Sequence, residues 1–203
     1  IGALTVTNSG GATFSGAVTA ATLDLVATTG TVQFSGDLTA GTVTNAGGSF
    51  ALHLYGAATA VTAGVSLGTS GVVRFGDGGD LLTFAAGVTH TAGANAIGGN
   101  ISTTNAAINL NSATAVTGTS VLSSGTGTVT LGAATLSDGV LLTLGAGAAT
   151  PIVLSSVSGT AGAPGSDLTI NTTGVVTVGG AVGTDIGTVT ITNSGGATFS
   201  GAV

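Results

Sequence analysis

The most constraining feature of this 203-residue sequence is that its beginning recurs at its end. Residues 1–18 and 186–203 agree at 15 of 18 positions, and their last twelve positions are identical. Repetition of this kind is typical of architectures in which each unit packs only on its neighbours. We therefore interpret residues 1–185 as one long tandem-repeat unit and residues 186–203 as the start of the next.

A shorter period lies inside the long one. The Phe-Ser-Gly of residues 14–16 returns at residues 34–36, and other echoes fall close to multiples of 20. Short runs of alternating threonine and aliphatic residues are bounded by glycine-containing corners. Such alternation sends the aliphatic side chains to one face of a strand, and glycine permits positive φ at a corner. The sequence thus predicts an all-β fold, a parallel β-solenoid (β-helix) with about 20 residues per coil. Roughly nine coils would fill the 185-residue repeat and span about 43 Å at ~4.8 Å per coil.

The pattern also assigns roles to individual side chains. We expect Phe14, Phe34 and Phe199 to occupy equivalent core positions in their coils. Three asparagines follow a Thr-aliphatic-Thr segment at the same slot, and such residues cap turn backbone or bond to their equivalents in adjacent coils. We predict this corner role for Asn8, Asn45 and Asn193.

Composition excludes several classes of protein. The chain has no cysteine, so it can form neither disulfides nor thiolate metal sites. One arginine and a net charge of −6 are the opposite of the basic surface that nucleic acid requires. With 43% hydrophobic residues, the chain is too apolar for a disordered segment. No run of 18 apolar residues occurs, so we expect no membrane-spanning segment. Residue 1 is not followed by the basic and apolar segments of a signal peptide.

The repeated segment around residues 5–19 (TVTNSGGATFSGAVT), with echoes along all 203 residues, resembles a known group. It is similar to the repetitive β-helical passenger regions of large bacterial surface proteins, namely filamentous-haemagglutinin-like and autotransporter-type adhesins and β-strand-repeat proteins. That resemblance implies a secreted stalk or fibre, an extracellular or cell-surface location, and an adhesive or matrix-forming role. Neither a haemagglutinin secretion domain nor an autotransporter barrel is visible in the sequence, which leaves the export route open.

Catalysis is the first alternative to a structural role, because β-helices also include polysaccharide-active enzymes. Such reactions need clustered carboxylates or a carboxylate beside a base. Only Asp77 and Asp80 are close together in sequence, with Arg74 just before them, and we expect a local ion pair at a coil corner. The chain contains no glutamate and no lysine to complete a site. We predict that the protein is not an enzyme and has no catalytic residue. The seven carboxylates are Asp24, Asp37, Asp77, Asp80, Asp138, Asp167 and Asp185.

Metal and cofactor sites are equally unsupported. Residues 76–82 (GDGGDLL) faintly resemble the nonapeptide of calcium-binding β-rolls, but that motif works by repetition. Its echo at residues 137–142 (SDGVLL) carries Val140 where Asp80 stands. His53 and His90 have no second ligand at metal spacing, and Tyr55 is predicted to be a packing or surface aromatic. We predict no metal and no cofactor.

The sequence therefore favours a structural module of a secreted bacterial fibre, sheath, matrix filament or adhesin stalk. Coil stacking would stiffen it, and its weakly charged surface would let copies associate end to end and laterally. The main alternative is an ice-binding β-solenoid that uses rows of Thr-x-Thr, which must lie in register on consecutive coils. Long gaps separate the units that begin at Thr5, Thr42, Thr128, Thr188 and Thr190.

Overall fold

The chain folds into a parallel β-solenoid of about nine turns, with stacked positions roughly 21 residues apart. This computed structural model describes residues 1–26 and 28–203. Within those residues the chain forms strands and turns but no helix, and every strand pair is parallel. The prediction of an all-β parallel solenoid is confirmed. No helix that could cross a membrane occurs in the described part of the chain.

Each coil visits three faces in a fixed order, which we call face 1, face 2 and face 3. Face 1 is built from β1 (Ala3–Thr7), the second halves of β3 (Val18–Val26) and β5 (Leu38–Asn45), β8 (Val65–Leu67), β11 (Val88–His90), β14 (Ile108–Leu110), the first halves of β17 (Val129–Leu136) and β19 (Ile152–Gly159), β21 (Val176–Val178) and β23 (Ala197–Phe199). Face 2 is built from β2 (Ala12–Phe14), β4 (Thr31–Phe34), β6 (Ala51–Leu54), β9 (Val73–Phe75), β12 (Asn95–Ile97), β15 (Thr114–Val116) and the second halves of β17 and β19. Face 3 is built from the first halves of β3 and β5, then β7 (Ala58–Val61), β10 (Leu81–Phe84), β13 (Asn100–Ser102), β16 (Ser120–Ser123), β18 (Leu141–Leu144), β20 (Ser166–Asn171) and β22 (Ile186–Asn193).

Some strands bend around a corner and so join the ladders of two faces. Strands β3 and β5 run without a break from face 3 to face 1, whereas β17 and β19 run from face 1 to face 2. The backbone pairing therefore forms one sheet of ten strands and one of thirteen. Together the two sheets enclose a single core.

The core consists of stacked aliphatic and aromatic side chains, as the alternating pattern predicts. On face 2 each inward residue lies directly over its counterpart in the previous coil, because parallel pairing keeps the register. Burying side chains of this size stabilises a fold by about 1.5–3 kcal/mol each. This inward column is nearly or fully buried over six consecutive coils: Phe34, Leu54, Phe75, Ile97, Val116 and Leu136.

The phenylalanine prediction is partly right. Phe14 and Phe34 pair on face 2, and their rings stack with centroids 4.8 Å apart and planes 11° apart. Phe199 lies instead on face 1, where it pairs with Val178. The prediction that all three are equivalent is therefore wrong, because the two sequence copies do not occupy the same faces.

The offset of the two copies is one face. Residues 3–7 of the first copy lie on face 1, whereas the matching strand of the second copy pairs with β20 on face 3. The following strand moves correspondingly from face 2 to face 1. The backbone conformation of one corner glycine is kept in the shift, since Gly11 and Gly196 have φ values of 144° and 129°, whereas Asn8 has a positive φ and its counterpart Asn193 does not. The chain makes eight full turns and two further faces between the copies, so that one long repeat corresponds to 8⅔ coils.

Candidate functional site

Most of the carboxylates lie along one corner of the solenoid, where face 2 turns into face 3. This acidic corner consists of Asp37, Asp77, Asp80, Asp138 and Asp185, each between a face 2 segment and the next face 3 strand. Two of these carboxylates bond to the following coil: Asp37 Oδ1 accepts from the Ala58 N–H at 2.9 Å, and Asp138 Oδ1 accepts from the Thr160 hydroxyl at 2.6 Å. Bonds of this kind hold one corner onto the next.

The expected ion pair between Arg74 and its neighbouring aspartates is not formed. In the part of the chain that the structure describes, Asp80 Oδ2 accepts from the Asp77 N–H at 2.7 Å, and neither carboxylate pairs with the guanidinium. The prediction of a local ion pair is wrong because Arg74 lies on a strand and projects from face 2, whereas the Asp80 carboxylate bonds to the backbone of its own loop. Desolvation and the nearby Asp80 carboxylate raise the pKa of Asp77 above its ordinary value.

His90 is fully buried and is held by hydrogen bonds on both ring nitrogens. Its Nδ1 lies 2.7 Å from Asn95 Oδ1, and its Nε2 lies 2.9 Å from the carbonyl oxygen of Thr69. Asn95 in turn donates through Nδ2 to Ser112 Oγ at 2.8 Å. The network ties together neighbouring coils at the corner between faces 1 and 2. Its geometry gives His90 a structural role.

Asn45 performs the corner role that the sequence predicts. Its Oδ1 accepts from the Gly47 N–H at 2.8 Å and from the Gly68 N–H of the next coil at 3.0 Å. Asn8 lies at the same corner with a positive φ of 50°. Asn193 lies at the end of a face 3 strand, displaced by one face like the rest of the second copy.

A row of uncommon side chains projects from face 2. Gln33, His53 and Arg74 occupy one outward position in three successive coils, because Gln33 pairs with His53 and His53 pairs with Arg74. The only glutamine, the only arginine and one of two histidines of the chain thus stand side by side. All three are half-buried. We call them the Gln–His–Arg row.

Tyr55, the only tyrosine, lies beside this row. Its ring centroid is 5.1 Å from that of His53, with the planes tilted by 33°. Burial and then the Arg74 charge lower the pKa of His53, whereas burial raises the pKa of Tyr55. At neutral pH both rings are therefore uncharged, and Arg74 is the only cation of the row.

Beyond Arg74 the outward side chains of face 2 become small. Arg74 pairs with Ala96, which pairs with Ala115, so the outward position is occupied by methyl groups in the next two coils. A hollow of about 240 Å³ lies there, and its outward side chains are small. We call it the alanine hollow; it is lined by Ala94, Asn95, Ala113, Thr114, Ala115, Ala133 and Thr135.

In its later coils, face 1 carries a single outward column of mostly polar residues. The pairing places Ser66, Thr89, Asn109 and Thr130 over one another, followed by Val153. The column is one residue wide, and asparagine and valine interrupt its hydroxyl groups. The Thr-x-Thr units that begin at Thr5 and Thr42 do not lie on consecutive coils. The coil between them carries Asp24, which pairs with Thr5 on one side and Thr44 on the other.

No group of three or more metal-ligating side chains converges among residues 1–26 and 28–203. No protein-family model, no curated protein and no solved structure matches this chain.

The sequence predicts an isolated His53 and a Tyr55 that is a packing or surface aromatic, and the structure places both beside Gln33 and Arg74. The signal in the sequence is their spacing, because residues 33, 53 and 74 follow one another at intervals of one coil. The interval drifts along the chain and is clearly wider between the stacked residues Leu141 and Asp167, which obscures that alignment.

Proposed function

We propose that the chain is a structural module of a secreted bacterial fibre, sheath, matrix filament or adhesin stalk. The observation that carries the proposal is the fit of the second sequence copy onto the solenoid. Residues 186–203 continue the strand ladder of the preceding coil, and Gly196 keeps the positive φ of its counterpart Gly11. A further copy can therefore be added in the same way, by backbone hydrogen bonding alone.

Coil stacking supplies the mechanical function. Parallel ladders on all three faces resist bending and stretching along the axis, since every coil is bonded to the coils before and after it. Stacking of units also covers the strand edges of the terminal coils, which would otherwise invite uncontrolled association. The partners in this proposal are further copies of the chain, arranged end to end and bundled laterally through weakly charged faces.

Rod length tests the proposal. Proteins with one, two and three copies of residues 1–185 should form rods that lengthen by about 42 Å per copy, since 8⅔ coils advance ~4.8 Å each. Negative-stain electron microscopy measures the increment directly. Compact particles whose longest dimension does not grow with copy number would contradict the proposal. Thermal hysteresis by the same proteins, without rods, would favour ice binding instead.

A further inference from the structure

The Gln–His–Arg row and the alanine hollow form one continuous surface on face 2, and we propose that it binds an acidic saccharide. In this assignment Arg74 pairs with the carboxylate of a uronic-acid residue. Gln33 and His53 bond its hydroxyl groups or those of the adjoining sugar, and Tyr55 packs against a ring face. The activity is distinct from the stalk role and does not depend on repeated units.

The unpaired guanidinium is the first argument. Arg74 is half-buried in a chain of net charge −6, yet no carboxylate pairs with it within the described residues. Pairing with an anion stabilises a partly desolvated cation, and the planar guanidinium can form two parallel hydrogen bonds with a carboxylate. The seven aspartates oppose any densely charged polyanion, so that a ligand with few, widely spaced carboxylates fits the field best.

The neighbours of Arg74 provide the second argument. Gln33 offers an amide and His53 an imidazole, both planar groups that can donate and accept towards vicinal hydroxyls. Gln33 Nε2 donates to Ser35 Oγ at 2.7 Å, which holds the amide in place, while the contact between Gln33 Oε1 and His53 Nδ1 is long, at 3.5 Å. The Tyr55 ring adds the apolar surface that sugar C–H groups require.

The shape of the surface favours a saccharide over a peptide. Backbone groups on face 2 are already bonded to the coils on either side, so an extended peptide finds no free strand edge there. The row and the alanine hollow together extend over six coils, or about 24 Å at ~4.8 Å per coil, along face 2. A short oligosaccharide can lie along this surface.

The unusual composition makes this testable by nuclear magnetic resonance without a full assignment. The single arginine, glutamine and tyrosine each give one set of side-chain signals, and His90, which is fully buried, serves as an internal control. We would titrate the protein with D-glucuronate, D-glucose and acetate at matched ionic strength. Glucuronate should shift the Arg74 Nε–H, Gln33 amide and Tyr55 ring signals in a saturable manner, with a dissociation constant in the millimolar range, and leave His90 unmoved.

Variants separate the parts of the proposal. Arg74→Gln should weaken glucuronate binding at least about tenfold, and Tyr55→Ala should weaken it while leaving any response to acetate unchanged. Thr177→Ala, at an exposed position on face 1, is the matched control and should bind normally. Equal saturable shifts with acetate, equal shifts with glucose, or no effect of Arg74→Gln would each overturn the assignment. A change in sedimentation of the free protein on Arg74→Gln would assign the surface to a second copy instead.

Discussion

Replacement of Gly56 by valine should lower the midpoint of thermal unfolding by about 10 °C, whereas the same change at Gly16 should leave it unchanged. Both glycines belong to the corner between faces 2 and 3, one above the other with Gly36 between them. A Cβ on Gly56 would lie 2.5 Å from the carbonyl carbon of Gly36 and 2.7 Å from the nitrogen of Asp37. Because that backbone is fixed in the ladder, the coils must separate, at a cost of about 3 kcal/mol.

Gly16 is a matched control because it differs only in its surroundings. A Cβ built there meets nothing within 4 Å. Differential scanning calorimetry of the two valine variants against the unchanged protein measures the contrast. Equal midpoints for Gly56→Val and Gly16→Val would show that corner contact between coils does not limit the fold.

Gly16 and its counterpart in the second copy, Gly201, also test whether tandem units stack. Gly201 occupies the position of Gly16 in the second copy, and a Cβ there would lie 2.5 Å from the nitrogen of Ala181 in the preceding coil. In a protein with two copies of residues 1–185, valine at this corner should therefore be tolerated in the first unit and destabilising in the second. Tolerance in both units would mean that the second unit does not stack on the first.

Replacement of His90 by phenylalanine should destabilise the protein, because phenylalanine fills a similar volume but donates no hydrogen bond. Asn95 Oδ1 and the Thr69 carbonyl then lose their partner inside the solenoid. An imidazole tautomer has a single N–H donor, and a buried acceptor left without its donor costs about 1–3 kcal/mol, so we expect a loss of about 2 kcal/mol. Thermal unfolding measures the loss, which should lower the midpoint by at least about 5 °C.

The neighbouring strand position supplies the control for His90. Thr89 precedes it in β11 and projects outward, so Thr89→Ala should change the unfolding midpoint by less than about 2 °C. A His90→Phe protein as stable as the Thr89→Ala protein would mean that the buried network contributes nothing. The double variant His90→Leu with Asn95→Leu should cost less than the two single changes added together, because it removes both members of one hydrogen bond.

The architecture could be predicted from the sequence because each coil repeats the same local pattern of strands and corners. Alternating Thr-aliphatic runs and glycine corners determine the strands, and the interval of one coil between Phe14 and Phe34 places their rings in contact. The number of coils per repeat was harder to predict, because corners differ in length. The stacked residues Ala96 and Ala115 are closer together in sequence than the stacked residues Leu141 and Asp167. The prediction of roughly nine coils is confirmed, and the unequal corners set the value for one repeat at 8⅔.

The candidate site could not be predicted from the sequence, because the corners between strands differ in length. Residues 33, 53 and 74 come together only once the register of each coil is known. The predicted ion pair of Arg74 is wrong because proximity to Asp77 and Asp80 in the sequence does not determine where the side chains point. A strand residue projects from its face, while the carboxylate of Asp80 turns inward to bond the Asp77 N–H of its own loop.

The central claim is that repeated units stack as one solenoid, each displaced by one face from the last. Electron cryo-microscopy of a protein with several copies of residues 1–185 tests it most directly. We expect a ~4.8 Å layer line, a rise of about 42 Å per unit, and the Gln–His–Arg row on a different face in each of three successive units. A row that returns on the same face in every unit, or separate compact particles, would contradict the account.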